Sequence, residues 1–230
     1  MDFKGKRQSQ RKEKMKSILK REISFWILLL SQFLFLIYAG DKIPSDFPVH
    51  WDFNGKPDSY SNKFTLPILN TVIYFVLLLI PKVDPRKENY KLFSDSYFKI
   101  RFLLTLAFVL IFYGICLRYF GFQFSEAKLI FIFVLSIFTI IGNYMRSFRP
   151  NYFVGIRTPW TLESETVWKK THELGGKLFF YIGLIGVILC LFLDERILSY
   201  VVFTLILTAS LIPVIYSYIY YRKINPKSTK

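Results

Sequence analysis

Apolar residues form six long runs along this chain, separated by shorter polar segments. None of the six runs contains Asp, Glu, Lys or Arg. A helix needs about 17 to 25 mostly apolar residues to cross the hydrocarbon of a bilayer, and it satisfies its backbone polar groups without water. The pattern predicts an all-α, polytopic membrane protein with six transmembrane helices, over about 23–40, 64–81, 102–117, 129–145, 178–193 and 197–221.

Two of the predicted helices are slightly short for a bilayer. They are the third and the fifth, and the side chains of Arg118 and Lys177 at their ends can extend to the interface. Pro67 falls in the first turn of the second helix, where its missing amide proton costs little.

The first apolar run has an alternative interpretation as a cleaved signal peptide, because basic residues precede it and Ala39-Gly40 follows it. The 22 residues before it are long for the basic region of such a signal. Tyr38-Ala39-Gly40 also lacks the small-x-small pattern of a cleavage site. A transmembrane helix is therefore the favoured prediction.

Composition and charge support the membrane class and predict an orientation. The chain is 53% hydrophobic and 19% aromatic, with a mean hydropathy of +0.33. Its net charge of +15 does not indicate a nucleic-acid surface, because the basic residues lie between the apolar runs. Of 31 Lys and Arg residues, 25 lie in the segments 1–22, 82–101, 146–177 and 222–230. The positive-inside rule then places these segments and both termini in the cytoplasm.

This orientation predicts four regions. They are a basic cytoplasmic tail (1–22), a first helical pair (23–81) with an extracytoplasmic loop (41–63), a four-helix region (82–221) with a cytoplasmic loop (146–177), and a second tail (222–230). The basic residues from Lys4 to Arg21 favour contact with anionic lipid over nucleic acid. Both cysteines, Cys116 and Cys190, lie in apolar runs, where cysteine packs as a small hydrophobe.

The loop 41–63 is predicted to be an ordered turn structure. Prolines at 44, 48 and 57 fix the backbone, Asn54-Gly55 is a strong turn dipeptide, and Trp51, Phe53 and Tyr60 suit a membrane interface. His50 has two interpretations, as a ligand or proton acceptor, or as an interfacial histidine bonded within its own loop. The second is favoured.

The loop 146–177 is predicted to be irregular up to Arg157, because Pro150 disfavours a helical Arg149 and Gly155 relieves the backbone. An amphipathic helix over about 159–174 should follow. Thr158 would cap it, Pro159 would take its first position, and Gly175-Gly176 would end it.

The predicted amphipathic helix would lie along the inner membrane surface. Its apolar arc contains Trp160, Val167 and Trp168, and His172 falls outside that arc. The helix has two interpretations, as an interfacial anchor or as a docking surface for a cytoplasmic partner. Arg157 likewise could hold a carboxylate or phosphate, or bond neighbouring carbonyl groups to fix the loop, and the structural role is favoured.

Catalytic and transport chemistry finds little support in these residues. His172-Glu173 lacks the second histidine of a zinc protease, since position 176 is glycine. His50 is predicted on the other side of the bilayer. We therefore expect no metal, no cofactor and no catalytic residues. Charged residues are absent from the six runs, which disfavours a proton or ion pump, although Asn70, Thr71 and Asn143 could line a narrow polar path.

The chain resembles the SdpI family of bacterial membrane proteins. The residues that carry this resemblance are Gly142-Asn143-Tyr144, the run from Asn151 to Leu162, Val167-Trp168, Thr171-His172 and Gly175-Gly176-Lys177. The loop 41–63 resembles a companion domain of unknown function, with Pro48, His50, Trp51, Asn54, Gly55, Pro57, Asp58 and Lys63 in place. It departs from that pattern at Asp52, where asparagine is more common.

The resemblance implies a multi-pass protein of the bacterial cytoplasmic membrane that confers immunity to a secreted peptide toxin and recruits a winged-helix repressor to the membrane. It implies no direct nucleic-acid binding. A sensing surface is then expected around Pro48, His50, Trp51, Asn54, Gly55, Pro57, Asp58 and Lys63. A cytoplasmic signalling face is expected at Asn151, Gly155, Arg157, Thr158, Pro159, Trp160, Trp168, His172, Gly175 and Gly176. The alternative class is a small-solute transporter or a membrane-embedded enzyme.

Overall fold

The chain folds into a helical bundle that carries one β-hairpin. The computed structural model describes the backbone of residues 3–52 and 56–225, and the side chains from residue 20 onward within these ranges. The elements are α1 (Phe3–Ala39), β1 (Asp46–Trp51), β2 (Pro57–Asn62), α2 (Thr65–Val83), α3 (Lys87–Lys91), α4 (Ser94–Leu117), α5 (Glu126–Met145), α6 (Pro159–Glu163), α7 (Glu165–Phe192) and α8 (Glu195–Ile224).

The prediction of six membrane helices is confirmed. Within the described residues, six helices are long and apolar enough to cross a bilayer: Lys20–Lys42, Thr65–Val83, Ser94–Phe120, Glu126–Met145, Glu165–Phe192 and Glu195–Ile224. Ile37, Leu191 and Phe192 each leave at least 70% of their surface uncovered. Lipid chains rather than water are the solvent that such apolar surfaces fit. Pro67 lies in the first turn of α2, as predicted.

Helices α5 and α7 pack against each other through small residues. A Cβ atom added at Gly142 would lie 2.3 Å from the backbone nitrogen of Phe180, and one added at Gly183 would lie 2.6 Å from the carbonyl oxygen of Leu135. Such close backbone approach is typical of helix pairs in membranes, where packing replaces the hydrophobic effect. The contact between α5 and α7 therefore depends on glycine.

Helices α1, α2 and α4 share a core that contains buried polar groups. The side-chain amide of Asn70 donates to Gln32 Oε1 at 2.9 Å, and both residues are at most 1% exposed. Nearer the N-terminal end of α4, Arg101 pairs with Glu22 through bonds of 2.9 and 3.2 Å. The bond between Asn70 and Gln32 therefore joins α2 to α1. Of the other residues considered for a polar path, Thr71 bonds to its own helix backbone, and Asn143 is exposed.

The loop between α1 and α2 is an antiparallel hairpin, which adds local β-structure to the predicted helical fold. Pro48 pairs with Tyr60 and His50 with Ser59, with irregular register on either side of His50. Its turn is closed by Asp52, whose Oδ1 and N–H bond to the backbone of Lys56 at 2.9 Å each. An aspartate oxygen thus accepts here as an asparagine oxygen would.

The predicted amphipathic helix over 159–174 is wrong in its boundaries and its placement. The chain forms the short helix α6, breaks at Ser164, and then continues as one helix, α7, from Glu165 to Phe192. Gly175 and Gly176 lie inside α7, where they allow close packing rather than ending a helix. His172 is 1% exposed, so its predicted place outside the buried arc is also wrong.

The hairpin and the segment after α5 lie at opposite ends of the bundle. Trp51 of β1 bonds to Glu126, the first residue of α5, and the segment from Arg146 begins just after the last residue of α5. Twenty helical residues separate these ends, which corresponds to about 30 Å along the helix. That distance matches the thickness of bilayer hydrocarbon.

Candidate functional site

One edge of the hairpin is packed onto the bundle. Phe47 is fully buried among residues of α1 and α4. The Trp51 indole donates to Glu126 Oε2 at 2.7 Å, and the other oxygen of Glu126 pairs with Arg118 at 2.6 Å. Lys63 Nζ donates to the carbonyl oxygens of Gly40 and Ile43 at 2.9 and 3.2 Å. These bonds fix the hairpin to the ends of α1, α4 and α5.

The other side of the hairpin is exposed. His50 Nδ1 lies 2.5 Å from Asp58 Oδ1 across the two strands, and Tyr60 is 57% exposed. This pair agrees with the favoured interpretation of His50 as a residue bonded within its own loop. We call His50, Asp58 and Tyr60 the outer face.

The two prolines predicted for this surface lie under the hairpin's exposed side rather than on it. Pro48 is buried, and Pro57 is half-buried opposite Trp51. The turn predicted at Asn54-Gly55, with Phe53 before it, lies outside the described residues.

At the opposite end, Asp84 joins α2 to the segment after α5. Asp84 is 1% exposed; its Oδ1 accepts from the Arg86 amide at 2.7 Å and its Oδ2 from the Tyr152 amide at 2.9 Å. The Tyr90 hydroxyl contacts Asp84 Oδ2 at 3.1 Å and Asn151 Oδ1 at 3.0 Å. Burial, with Asp84 beside it, holds the pKa of Tyr90 well above its usual range. The hydroxyl therefore stays protonated and donates.

Asn151 is the centre of the irregular segment. It is fully buried, and its Oδ1 accepts from the amides of Phe153 and Val154 at 3.0 and 2.6 Å. Its Nδ2 donates to the carbonyl oxygens of Arg149 and Val154 at 2.9 Å each. A side chain with both a donor and an acceptor is needed to satisfy this turn.

Gly155 and His172 form the next contact of the segment. Gly155 has a φ of +113°, and a Cβ there would lie 2.3 Å from His172 Nε2. His172 Nδ1 lies 2.8 Å from the carbonyl oxygen of Trp168, which can only accept, so Nδ1 carries the proton. Nε2 then accepts from the Ile156 amide at 3.0 Å. Both ring nitrogens are engaged, and His172 acts as a structural connector.

Thr158 caps α6 as predicted. Its hydroxyl accepts from the Thr161 amide at 3.2 Å, and the Thr161 hydroxyl accepts from the Thr158 amide at 2.8 Å, which completes a capping box. Pro159 takes the first helical position. The Trp160 indole donates to Ser217 on α8, so this cap also attaches the segment to the last helix.

Trp168 is buried and donates from its indole to the Phe148 carbonyl at 2.9 Å. Gly175 and Gly176 are buried against Ile156 and α5. Of the predicted signalling face, Arg157 and Pro159 are exposed, Gly155 and Trp160 are half-buried, and Asn151, Thr158, Trp168, His172, Gly175 and Gly176 are buried. The buried members shape the segment rather than form its surface.

The surface of the segment is aromatic and basic. Tyr152 and Phe153 are 41% and 43% exposed, and Arg149 and Arg157 are exposed beside them in sequence. Arg157 donates to the Tyr152 carbonyl at 2.5 Å, which agrees with the favoured interpretation of Arg157 as a residue that fixes the loop. We call Arg149, Tyr152, Phe153 and Arg157 the inner face.

Sequence reasoning missed several residues that hold these two ends together. They are Glu22, Asp84, Arg101, Glu126 and Ser217, each of which has a partner at least 52 positions away in sequence. The one available signal was the position of acidic residues: Glu22 and Asp84 lie beside predicted spans in strongly basic segments.

Similarity to known proteins covers both ends of the molecule. The SdpI/YfhL protein family matches residues 147–217, and a domain of unknown function, DUF1648, matches residues 27–73. The immunity protein SdpI of Bacillus subtilis (strain 168) is 31% identical over 214 residues, which cover 90% of this chain and 99% of the relative. No solved structure matches the chain significantly. Because the similarity extends over nearly the whole of both chains, this multi-pass membrane protein belongs to the SdpI family.

Proposed function

We propose that this chain is an immunity protein of the bacterial cytoplasmic membrane that protects its host against a secreted antimicrobial peptide. The observation that carries the proposal is the similarity along almost the full length of a protein named for immunity. In this proposal the chain binds and signals, and it catalyses no reaction. The hairpin end faces outward, in agreement with the distribution of basic residues.

The outer face is the proposed contact for the peptide. It presents an imidazole, a carboxylate and a phenol on a hairpin whose other edge is fixed by Phe47 and Trp51. A surface held in place before binding loses less entropy when a ligand arrives. Peptides that act on membranes are commonly basic and amphipathic, and aromatic and acidic groups at the interface suit both properties.

The inner face is the proposed contact for a cytoplasmic transcriptional repressor of the winged-helix class. Exposed aromatic and arginine side chains are the residues most enriched in the energetic centres of protein interfaces. Tyr152 and Phe153 lie on a segment that the buried side chains of Asp84, Asn151 and His172 hold by hydrogen bonds. The face is therefore rigid enough to serve as a docking surface.

Helices α4 and α5 connect the two proposed faces. At one end of these helices Glu126 binds both Trp51 and Arg118, while Tyr97 of α4 packs near Phe148 at the other. A shift of the hairpin therefore has a packed route to the inner face through two helices. This coupling is part of the proposal, and the outer and inner faces can each be tested without it.

Expression of the chain should protect a sensitive cell. A B. subtilis strain lacking its own SdpI is the recipient, and survival is measured after exposure to medium from the parent strain and, separately, to medium from this chain's own host. Survival above the empty-vector strain is expected with at least one medium. The double variant His50→Ala/Tyr60→Ala should lose protection while accumulating normally in the membrane, because both side chains are exposed. Unchanged sensitivity to both media would contradict immunity.

Removal of the inner aromatics should abolish partner capture. The tagged chain in lipid nanodiscs is used as bait for host cytosol, and we expect a winged-helix protein among the bound species. Tyr152→Ala/Phe153→Ala should reduce its recovery about tenfold or more, since each truncated hot-spot side chain costs about 2 kcal/mol. The outer variant His50→Ala/Tyr60→Ala is the control and should retain capture. Equal capture by both variants would exclude the inner face as the docking site.

A further inference from the structure

A basic cleft opens between α2, α3 and α4, and none of the residues of the two proposed faces lines it. Its volume is about 540 Å³. Lys82, Lys87, Lys91 and Arg101 line it together with the rings of Tyr97 and Phe98. The cleft thus combines cationic side chains with an apolar aromatic wall.

The charges of the cleft do not cancel. Glu88 also lines it and pairs with Lys91, and this bond lowers the pKa of Glu88, so the carboxylate stays ionised. Arg101 is matched by Glu22. Lys82 and Lys87 make no ion pair within the described part of the chain, which leaves a positive excess at the mouth.

Arg101 provides an independent indication that the cleft binds a ligand. The residue is only 6% exposed, and its Nε is buried without a hydrogen-bond partner among the described residues. Glu22 engages only the two terminal nitrogens. A buried guanidinium N–H that lacks an acceptor is costly, and an oxygen atom entering from the cleft would remove that cost.

The cleft lies at the level where lipid headgroups meet the protein. Lys82 is the first charged residue after the apolar run of α2, and Arg101 is the last before the apolar run of α4. Phosphate groups of a bilayer lie at this boundary, and the Tyr97 hydroxyl reaches the Leu77 carbonyl inside the apolar run of α2 at 2.6 Å. Basic pockets between transmembrane helices on the cytoplasmic side are suited to anionic headgroups.

We propose that this cleft binds the phosphodiester headgroup of an anionic phospholipid, such as phosphatidylglycerol. The lysines attract the phosphate, the Arg101 N–H donates to one of its oxygens, and the acyl chain lies along the aromatic wall. Because Glu22 and Tyr74 share the Arg101 cluster, the bound lipid would join α1 and α2 to α4 at the inner surface.

Native mass spectrometry of the full chain in detergent tests this proposal. The probes are phosphatidylglycerol, phosphatidylcholine and inorganic phosphate. We expect retention of phosphatidylglycerol well above phosphatidylcholine, and only weak binding of phosphate, which has no acyl chain. The variant Lys82→Gln/Lys87→Gln/Lys91→Gln should weaken phosphatidylglycerol binding about tenfold or more. All three lysines are exposed, so the fold should persist.

The matched control is Lys169→Gln/Lys170→Gln/Lys223→Gln, which removes the same charge from exposed positions outside the cleft. It should keep the affinity for phosphatidylglycerol. Equal losses in the two triple variants would show nonspecific surface attraction and overturn the proposal. Phosphate binding as tight as phosphatidylglycerol would assign the cleft to a soluble anion instead, and equal retention of the two lipids would exclude headgroup recognition.

Discussion

Replacement of Gly142 by alanine should separate α5 from α7 and destabilise the protein by about 3 kcal/mol or more. The added methyl group would meet backbone atoms on the partner helix, at 2.3 Å from the Phe180 nitrogen and 2.8 Å from the Gly176 oxygen. Backbone atoms cannot turn away as a side chain can, so the helices themselves must move. Unfolding of the purified protein by SDS, followed by tryptophan fluorescence, measures the change.

Gly114→Ala provides the matched control for this experiment. Gly114 is also a helical glycine facing a neighbouring helix, but the atoms nearest to its Cβ would all belong to the side chain of Leu129, the first at 2.8 Å. That side chain can change rotamer, so Gly114→Ala should be much milder and benefit from the better helix propensity of alanine. Similar losses for Gly114→Ala and Gly142→Ala would contradict backbone contact as the basis of the α5–α7 packing.

Replacement of Gly155 by alanine should disrupt the inner face with little effect on the six membrane helices. The left-handed backbone costs a non-glycine residue about 1–3 kcal/mol, and the collision with His172 adds a cost of similar size. Together they would displace His172 and release the Ile156 amide. Limited proteolysis of the segment 146–164, with the thermal unfolding midpoint measured in parallel, detects this local opening.

Gly121→Ala distinguishes the two causes. Gly121 also has a positive φ, +91°, but a Cβ there would have nothing within 4 Å. Its replacement should therefore show the backbone cost alone and leave the inner segment resistant to protease. If Gly155→Ala were no more susceptible than Gly121→Ala, the close contact with His172 would have no energetic role.

The six membrane helices could be predicted from the sequence because lipid imposes one simple requirement. Every backbone group must form its hydrogen bond inside a long apolar helix. A long run of residues without charges is the local sequence pattern that meets this requirement. The cap at Thr158 was also predictable, since it depends on neighbours within three positions. Orientation relative to the two compartments stays a prediction that rests on the distribution of Lys and Arg.

The start of α7 could not be predicted because a glycine pair can either end a helix or allow close packing inside one. Gly175-Gly176 after a polar stretch resembles a helix end, yet here the pair gives room for Ile156 and for Gly142 of α5. Polar residues around His172 likewise suggested an exposed face. The ring can be buried because the folded segment places the Ile156 amide where it donates to the imidazole. This contact is not visible in the sequence.

The candidate site was only partly predictable, because many of its contacts join residues that lie far apart in the sequence. The motif residues from Asn151 to Thr158 could be selected from sequence, but their partners could not. Asp84 meets Tyr152 across 68 positions, and Glu126 meets Trp51 across 75. No local pattern encodes such pairs, and the division of the motif into buried supports and an exposed aromatic surface follows from them.

The amide pair between Gln32 and Asn70 limits how α1 and α2 can move. Asn70 also reaches the Thr105 carbonyl of α4 at 3.4 Å, so three helices meet at one polar point within apolar surroundings. A slide of α1 by one turn, about 5.4 Å, would separate the two amides and leave the Gln32 amide without its partner in apolar surroundings. Pivoting about this point keeps the bond intact. The first helical pair is therefore expected to tilt about this contact rather than slide along the helix axes.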